Sequence, residues 1–134
     1  ARFLPGSIVG NSNLEHVLLA EGCQIQNAQI THSVIGLRSQ ISGGVSIQDS
    51  IIMGSDYYER EIYDPKETVP IGIGKDCHIE GAIIDKNPRI GQRVTIKPFQ
   101  RGTNFDTDFY SVRDGIIVIP KNTTIYSDKY LGPE

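Results

Sequence analysis

The stretch IQNAQITHSVIGLRSQI, residues 25–41, places an isoleucine at Ile25, Ile30, Ile35 and Ile41. These isoleucines are separated by five, five and six residues, and most of the residues between them are small or polar. Such intervals leave no room for an α-helix of ordinary length. The pattern is typical of short strands joined by tight turns.

The same interval continues through most of the chain. The aliphatic residues that open each unit form a series with two interruptions: Ile8, Leu14, Leu19, Ile25, Ile30, Ile35, Ile41, Ile47 and Ile52, then Ile73, Ile79, Ile84, Ile90 and Ile96, then Ile119 and Ile125. This is the hexapeptide repeat of parallel β-helices, in which three units make one triangular coil. Grouped in threes, these anchors predict an all-β fold of about five to six coils, stacked about 4.8 Å apart.

Two stretches interrupt the series, near residues 54–70 and 97–115. Both are polar and fall between hexapeptides, so we expect them to be inserted loops within a single domain that comprises residues 1–134. Insertions in solenoids often form a binding or docking surface, and insertions without a function are nearly as common. Tyr57 and Tyr58 begin the first insertion, and we expect them to pack it against the coils or against a partner domain.

Composition and charge exclude several classes of protein. The chain has 13 basic and 16 acidic side chains, and its net charge of −3 gives no electrostatic reason to bind nucleic acid or an anionic membrane. No apolar run approaches the ~20 residues that a membrane span needs. Cys23 and Cys77 lie four residues after the anchors Leu19 and Ile73, where we expect packing and no disulfide. A reduced compartment such as the cytoplasm is the expected location.

A pair of lysines is the strongest candidate for a binding site. Lys86 lies two residues after Ile84 and Lys121 two residues after Ile119, so both should occupy the same position in successive coils. Two ammonium groups on neighbouring coils, whose backbones are about 4.8 Å apart, repel each other by roughly 1 kcal/mol in water. A bound phosphate or carboxylate would remove that repulsion. Arg113 is a candidate third cation. The alternative is that the lysines point apart into solvent, as most lysines on a β-helix edge do.

A second set of polar residues has a regular spacing. His16, His32 and Asp49 each lie two residues after an anchor on one face and should form a ladder along one edge. Hexapeptide acyltransferases use a catalytic histidine, and β-helix carbonic anhydrases bind zinc through several. Those centres form between subunits, where water is excluded. We expect an exposed polar ladder here, and we predict no catalytic residue and no metal ligand in this chain.

Several longer strings resemble one family. They are, with their residue numbers, RFLP (2–5), SVIGLRS (33–39), MGSDYY (53–58), VPIGIGK (69–75) and AIIDKN (82–87). In this order they resemble the C-terminal, left-handed parallel β-helix domain of ADP-glucose pyrophosphorylase (glucose-1-phosphate adenylyltransferase), particularly its cyanobacterial and plant type. The tyrosine pair and the string IIDKN are the most specific parts.

The resemblance implies an enzyme that makes ADP-glucose and pyrophosphate from ATP and glucose 1-phosphate, with Mg²⁺, for glycogen or starch synthesis. It implies a homo-oligomer, a tetramer in the family, that is controlled by small phosphorylated metabolites. The family's catalytic nucleotidyltransferase domain is N-terminal, and nothing in this chain matches it. ATP and Mg²⁺ are therefore expected on that domain, and none here. Lys86 and Lys121 match family positions linked to activator binding.

The sequence thus predicts a regulatory and oligomerisation domain that docks on its own catalytic domain. Two alternatives remain open: a free-standing hexapeptide acyltransferase and a purely structural assembly domain. The resemblance implies a cytoplasmic location, or a plastid if the source is a plant.

Overall fold

The chain consists of short strands. A computed structural model describes residues 6–58 and 69–134, and no described residue lies in a helix that could cross a membrane. The strands in these ranges are, in chain order, β1 (Ile8–Gly10), β2 (Asn13–Leu19), β3 (Gln24–Gln26), β4 (Gln29–Ile35), β5 (Gln40–Ile41), β6 (Ser46–Gln48), β7 (Ile51–Ile52), β8 (Gly72–Ile73), β9 (His78–Glu80), β10 (Ala82–Ile84), β11 (Arg89–Ile90), β12 (Thr95–Ile96), β13 (Phe105–Asp106), β14 (Ser111–Arg113), β15 (Ile116–Ile119), β16 (Thr124–Ile125) and β17 (Tyr130–Leu131).

These strands form the three faces of a coiled prism. The first face is the parallel sheet β1-β3-β5-β8-β11-β16. The second face contains the first halves of β2 and β4, followed by β6, β9, β12 and β17. The third face contains the second halves of β2 and β4, followed by β7, β10 and β15. β2 and β4 belong to both faces because each turns a corner at a histidine, His16 and His32, with φ of 53° and 49°. Coils are numbered here from the N-terminus, so that β8, β9 and β10 form coil 4.

The interior of the prism is the predicted ladder of aliphatic anchors. On the third face, Leu19 pairs with Ile35, Ile35 with Ile52, Ile52 with Ile84, and Ile84 with Ile119. The first two faces repeat this register, which confirms the predicted grouping of the anchors for coils 2 to 5. The all-β parallel fold with five complete coils and part of a sixth is thereby confirmed.

The predicted first anchor is wrong by one residue. Val9, and not Ile8, pairs with the anchor Ile25, while Ile8 pairs with Gln24 and is exposed. Because side chains alternate between the two sides of a strand, a shift of one residue exchanges the inner and outer positions. Ile8 therefore points outward, and the interval from Val9 to Leu14 is five residues.

The corners of the prism select their residues through the backbone. Among the described residues, every non-glycine with a positive φ is Asn, Asp, His or Arg. Asparagine and aspartate tolerate this left-handed conformation best because their short polar side chains bond locally. Gly36 serves a corner for a different reason: a Cβ there would collide with the backbone carbonyl of Met53 in the next coil.

Both cysteines pack inside the corners. Cys23 and Cys77 are buried and free, so the expectation of packing without a disulfide is confirmed. The Cys23 thiol contacts the carbonyl oxygen of Gly36 at 3.1 Å, and the Cys77 thiol that of Gly91 at 3.0 Å. Burial is the main reason why the pKa of the Cys77 thiol is raised. A buried, protonated thiol is an inert packing group.

The two insertions differ in how much of each the structure describes. Of the first, residues 59–68 lie outside the described residues. The second contains β13 and β14, which pair antiparallel with each other. Because β14 also pairs antiparallel with β15, the two strands extend the third face as a hairpin. Phe105 packs edge-on against Phe99, with ring centroids 5.1 Å apart, and this contact holds the hairpin against the coils.

Candidate anion site

The two candidate lysines lie at one corner of adjacent coils. Lys86 and Lys121 each lie two residues beyond a paired anchor, Ile84 at the end of β10 and Ile119 at the end of β15. The backbone N–H of Asn122 donates to the carbonyl oxygen of Lys86 at 3.0 Å, so the coils remain in register at the corner. The structure thus brings the two lysines together in the order that the repeat predicts.

The carboxylate of Asp56 lies between the two lysines. The Nζ of Lys86 is 3.2 Å from Asp56 Oδ1, and the Nζ of Lys121 is 3.4 Å from Asp56 Oδ2. Asp56 belongs to the chain that leaves coil 3 for the first insertion. Coils 3, 4 and 5 therefore supply one charged side chain each.

Asn87 holds Asp56 in place through hydrogen bonds. Its side chain is almost fully buried, with 5% of the residue exposed. Its Nδ2 donates to Asp56 Oδ2 and to Asn122 Oδ1, both at 3.1 Å, and its Oδ1 accepts from the backbone N–H of Asp56 at 2.8 Å. Asn87 therefore fixes both the backbone and the carboxylate of Asp56.

These contacts favour the ionised form of Asp56. The hydrogen bond from Asn87 lowers the pKa of the Asp56 carboxyl most, and the two lysines lower it further. Hydrogen bonds and positive charges both favour a carboxylate over its neutral acid. At neutral pH the cluster therefore has two ammonium groups around one negative charge, which leaves it net positive.

The hexapeptide repeat does not connect Asp56 with the lysines. The position of Gly54 in the sequence is the signal that could have connected them. Gly54 forms the corner of coil 3, and its carbonyl oxygen accepts a hydrogen bond from the backbone N–H of Asn87 at 3.0 Å. A loop that leaves from this corner starts beside the lysine pair. The side-chain direction of a residue beyond the last anchor cannot be read from the repeat.

Arg113 pairs with an acidic residue of its own hairpin. It lies in β14 of the hairpin, where its Nη2 is 2.8 Å from Asp106 Oδ1 and its Nη1 donates to the carbonyl oxygens of Val112 and Phe105. A hydrogen bond from Ser111, and then Arg113, lower the pKa of the Asp106 carboxyl. None of the contacts that Arg113 makes with described residues reaches Lys86 or Lys121, so its predicted place beside them stays a prediction.

Tyr58 ties the start of the first insertion to the coils. Its hydroxyl donates to the carbonyl oxygen of Gly22 at 2.8 Å, and Arg38 Nη1 donates to the carbonyl oxygen of Ser55 at 3.1 Å. The chain is therefore held to coils 1 and 2 on both sides of Asp56, through the backbone of Ser55 and the side chain of Tyr58. The expected anchoring of the loop by a tyrosine is found at Tyr58.

The ladder of His16, His32 and Asp49 forms as expected. All three residues lie at corners with positive φ, and His32 Nδ1 is 2.7 Å from Asp49 Oδ1. Both members of this pair are exposed to solvent, where a polar contact contributes little to stability. Among residues 6–58 and 69–134, no three His, Cys, Asp or Glu side chains converge where they could hold a metal ion. Acyl transfer at His32 is supported only by the shared fold.

The outer side of the third face is apolar. Leu18 pairs with Val34, Val34 with Ile51, Ile51 with Ile83, and Ile83 with Val118, so these side chains form an aliphatic ladder outside the prism. Leu18, Val34 and Ile51 are exposed. Contiguous exposed apolar surface of this kind is found at sites that contact proteins, ligands or membranes.

Comparison with known proteins places the chain beside one family of β-helix domains. The family model described as "GLGC left-handed parallel beta-helix domain" matches residues 2–129. The small subunit of glucose-1-phosphate adenylyltransferase, chloroplastic/amyloplastic, from Triticum aestivum is 44% identical over 133 residues, which is 94% of this chain and 28% of that protein. The chain thus spans less than a third of the length of this relative. The predicted resemblance and the left-handed parallel β-helix are both confirmed.

Proposed function

Because this chain belongs to the family of GLGC left-handed parallel β-helix domains, we propose that it is the regulatory and oligomerisation domain of a glucose-1-phosphate adenylyltransferase. The observation that supports this most is its similarity, along almost its whole length, to the small subunit of such an enzyme. The enzyme would convert ATP and glucose 1-phosphate to ADP-glucose and pyrophosphate. Catalysis, ATP and Mg²⁺ would belong to an N-terminal catalytic domain outside these residues, in the cytoplasm or in a plastid.

The regulatory part of the proposal concerns the lysine pair. Lys86 and Lys121 approach one carboxylate from two coils, at 3.2 Å and 3.4 Å, which is the arrangement that an anionic ligand needs. Ammonium groups make charge-assisted hydrogen bonds to phosphate as they do to carboxylate. A small phosphorylated effector would therefore bind at this corner, which we name the lysine corner (Lys86, Asn87, Lys121 and Asn122). Arg113 would have to break its ion pair with Asp106 before its guanidinium group could bind this effector.

The assembly part of the proposal concerns the outer ladder of the third face. Its side chains Leu18, Val34 and Ile51 are exposed in this chain. The wheat relative is more than three times as long as the aligned region, which leaves ample chain to cover them. We assign this face to the chain's own catalytic domain. The assembled enzyme would be a homo-oligomer, a tetramer as in the family.

A calorimetric titration of the chain tests the regulatory part. Inorganic phosphate and 3-phosphoglycerate are the probes, at low ionic strength because salt screens exposed charges. We compare wild type, the double variant Lys86→Ala/Lys121→Ala, and the control Lys75→Ala/Lys129→Ala, which removes the same charge elsewhere. We expect saturable binding in wild type and control, and its loss in the first double variant.

Two other results would contradict this part of the proposal. If both double variants lose binding equally, the probes respond to net charge and not to a site. If wild type binds neither probe, the lysine corner is no self-sufficient effector site. The assembly part is tested separately, by the sedimentation of the chain and of the chain joined to its catalytic domain.

A further inference from the structure

Asp56 already makes the contacts that an anionic ligand would make. Its two carboxylate oxygens accept from Lys86, Lys121 and Asn87, at 3.2, 3.4 and 3.1 Å. A phosphate group at the same place would use the same three donors. The side chain therefore acts as an internal anion, and an external one must compete with it.

The carboxylate can leave this position while the rest of the corner stays in place. The side chain of Asp56 is 41% exposed, so its charged group has solvent to enter when it rotates away. The backbone of Asp56 is held independently, by the bond from its N–H to Asn87 Oδ1, and the hydroxyl of Tyr58 fixes the following turn. Because Asn87 is buried, its Nδ2 keeps its direction after Asp56 has rotated away.

We infer that Asp56 is a specificity-determining residue of the lysine corner: its carboxylate occupies the anion position, and a ligand binds by displacing it. This inference rests on the proposed effector site at Lys86 and Lys121. It goes further by assigning the resident group that the effector must replace, and by predicting which anions can replace it.

Displacement favours ligands with more than one negative charge. A monocarboxylate would exchange one carboxylate for another and gain almost nothing at the two ammonium groups. A phosphate monoester has between about 1.5 and 2 negative charges at neutral pH and three acceptor oxygens, so it neutralises both lysines more fully. Asp56 thus selects phosphorylated ligands over simple carboxylates.

The test compares wild type with Asp56→Asn, which keeps the shape of the side chain and removes its charge. The control is Asp128→Asn, because Asp128 is another exposed aspartate that is paired with a cation, Arg93. The probes are inorganic phosphate and acetate, titrated calorimetrically at pH 7. Thermal unfolding of each variant verifies that it is folded.

We expect Asp56→Asn to bind phosphate roughly three- to tenfold more tightly than wild type, since two exposed ion pairs no longer compete. It should also bind acetate measurably, whereas wild type and Asp128→Asn should not. In wild type, addition of phosphate should shift the ¹³C resonance of the Asp56 carboxyl group as that group enters solvent.

The contrary results separate this inference from the proposed site. If Lys86→Ala/Lys121→Ala abolishes phosphate binding but Asp56→Asn leaves it unchanged or weaker, the effector site stands and displacement of Asp56 is wrong. If phosphate binds to none of the variants, including Asp56→Asn, both the site and the inference fail. If Asp128→Asn tightens binding as much as Asp56→Asn, the effect is one of net charge, and the inference is again wrong.

Discussion

The side-chain amide of Asn87 donates a hydrogen bond to the side-chain oxygen of Asn122, over 3.1 Å, and thereby joins two coils at the corner where both lysines lie. Both asparagines have a left-handed backbone, with φ of 59° and 62°. Asparagine suits the position twice: it tolerates this backbone, and its amide both donates and accepts.

Asn87 is therefore expected to be the most sensitive residue of the corner. Asn87→Ala loses three hydrogen bonds and puts a poorly suited residue in the left-handed region, so we expect the free energy of unfolding to fall by about 2–4 kcal/mol. Asn87→Gly loses the same bonds but accepts the backbone, and it should be the less damaging change by about 1 kcal/mol. Urea unfolding of the two variants measures both effects, and equal losses would show that the backbone conformation costs nothing.

Low pH should reduce the stabilisation that the ionised carboxylate of Asp56 contributes to the folded chain. Its pKa lies below the ordinary value of 3.8, so the folded chain binds this proton less readily than the unfolded chain. The stabilisation is therefore complete above the unfolded pKa and is lost as the pH falls through the lower, folded pKa. We expect Asp56→Asn to be less stable than wild type at pH 6, and this difference to shrink as the pH falls below about 3.8.

Urea unfolding at pH 6 and pH 3 measures that difference. Asp106 and Asp128 also have lowered pKa values, but they are present in both proteins and cancel in the comparison. A difference between wild type and Asp56→Asn that stays constant with pH would contradict the assignment.

The two neighbouring isoleucines of β7 should respond very differently to truncation. Ile52 points into the prism and is 1% exposed, whereas Ile51 points outward and is 41% exposed. Ile52→Ala should lower the free energy of unfolding by about 2–5 kcal/mol, because it leaves a cavity between coils. Ile51→Ala should cost about 1 kcal/mol or less in the isolated chain. Similar costs for the two would mean that the inside and outside of the sheet are assigned incorrectly.

Gly36 should tolerate no side chain. A methyl group there would meet backbone atoms of Ile52 and Met53, which cannot move without separating the coils. We expect Gly36→Ala to lower the thermal midpoint strongly, whereas Gly6→Ala, where a Cβ meets nothing, should leave it unchanged. If Gly36→Ala left the thermal midpoint unchanged, the coils at this corner would be less closely stacked than the approach of Met53 to Gly36 indicates.

The repeat made most of the fold predictable. Anchors such as Ile30, Ile47 and Ile79 are found in the predicted register because each coil turns the same aliphatic position into the interior of the prism. Ile8 was the exception, because two adjacent aliphatic residues fit the pattern equally well at the first coil. The antiparallel pairing of β13 and β14 left no periodic signal, since it is set by turn geometry outside the repeat.

The lysine pair was predictable for the same reason, and its partner was not. Lys86 and Lys121 hold fixed positions relative to their anchors, so the stacking of coils brings them together. Asp56 follows the last anchor of its coil, and hydrogen bonds with Asn87 determine its direction. These hydrogen bonds form only in the folded corner, so the spacing of residues along the sequence does not predict them.

The hairpin β13–β14 ends the third face of the solenoid. On the third face, β15 is covered by a strand that runs in the opposite direction, and the outermost strand, β13, is only two residues long and ends in Asp106. A short, charged edge is a poor template for the addition of a further chain. This end of the face therefore resists uncontrolled polymerisation, which exposed sheet edges otherwise invite.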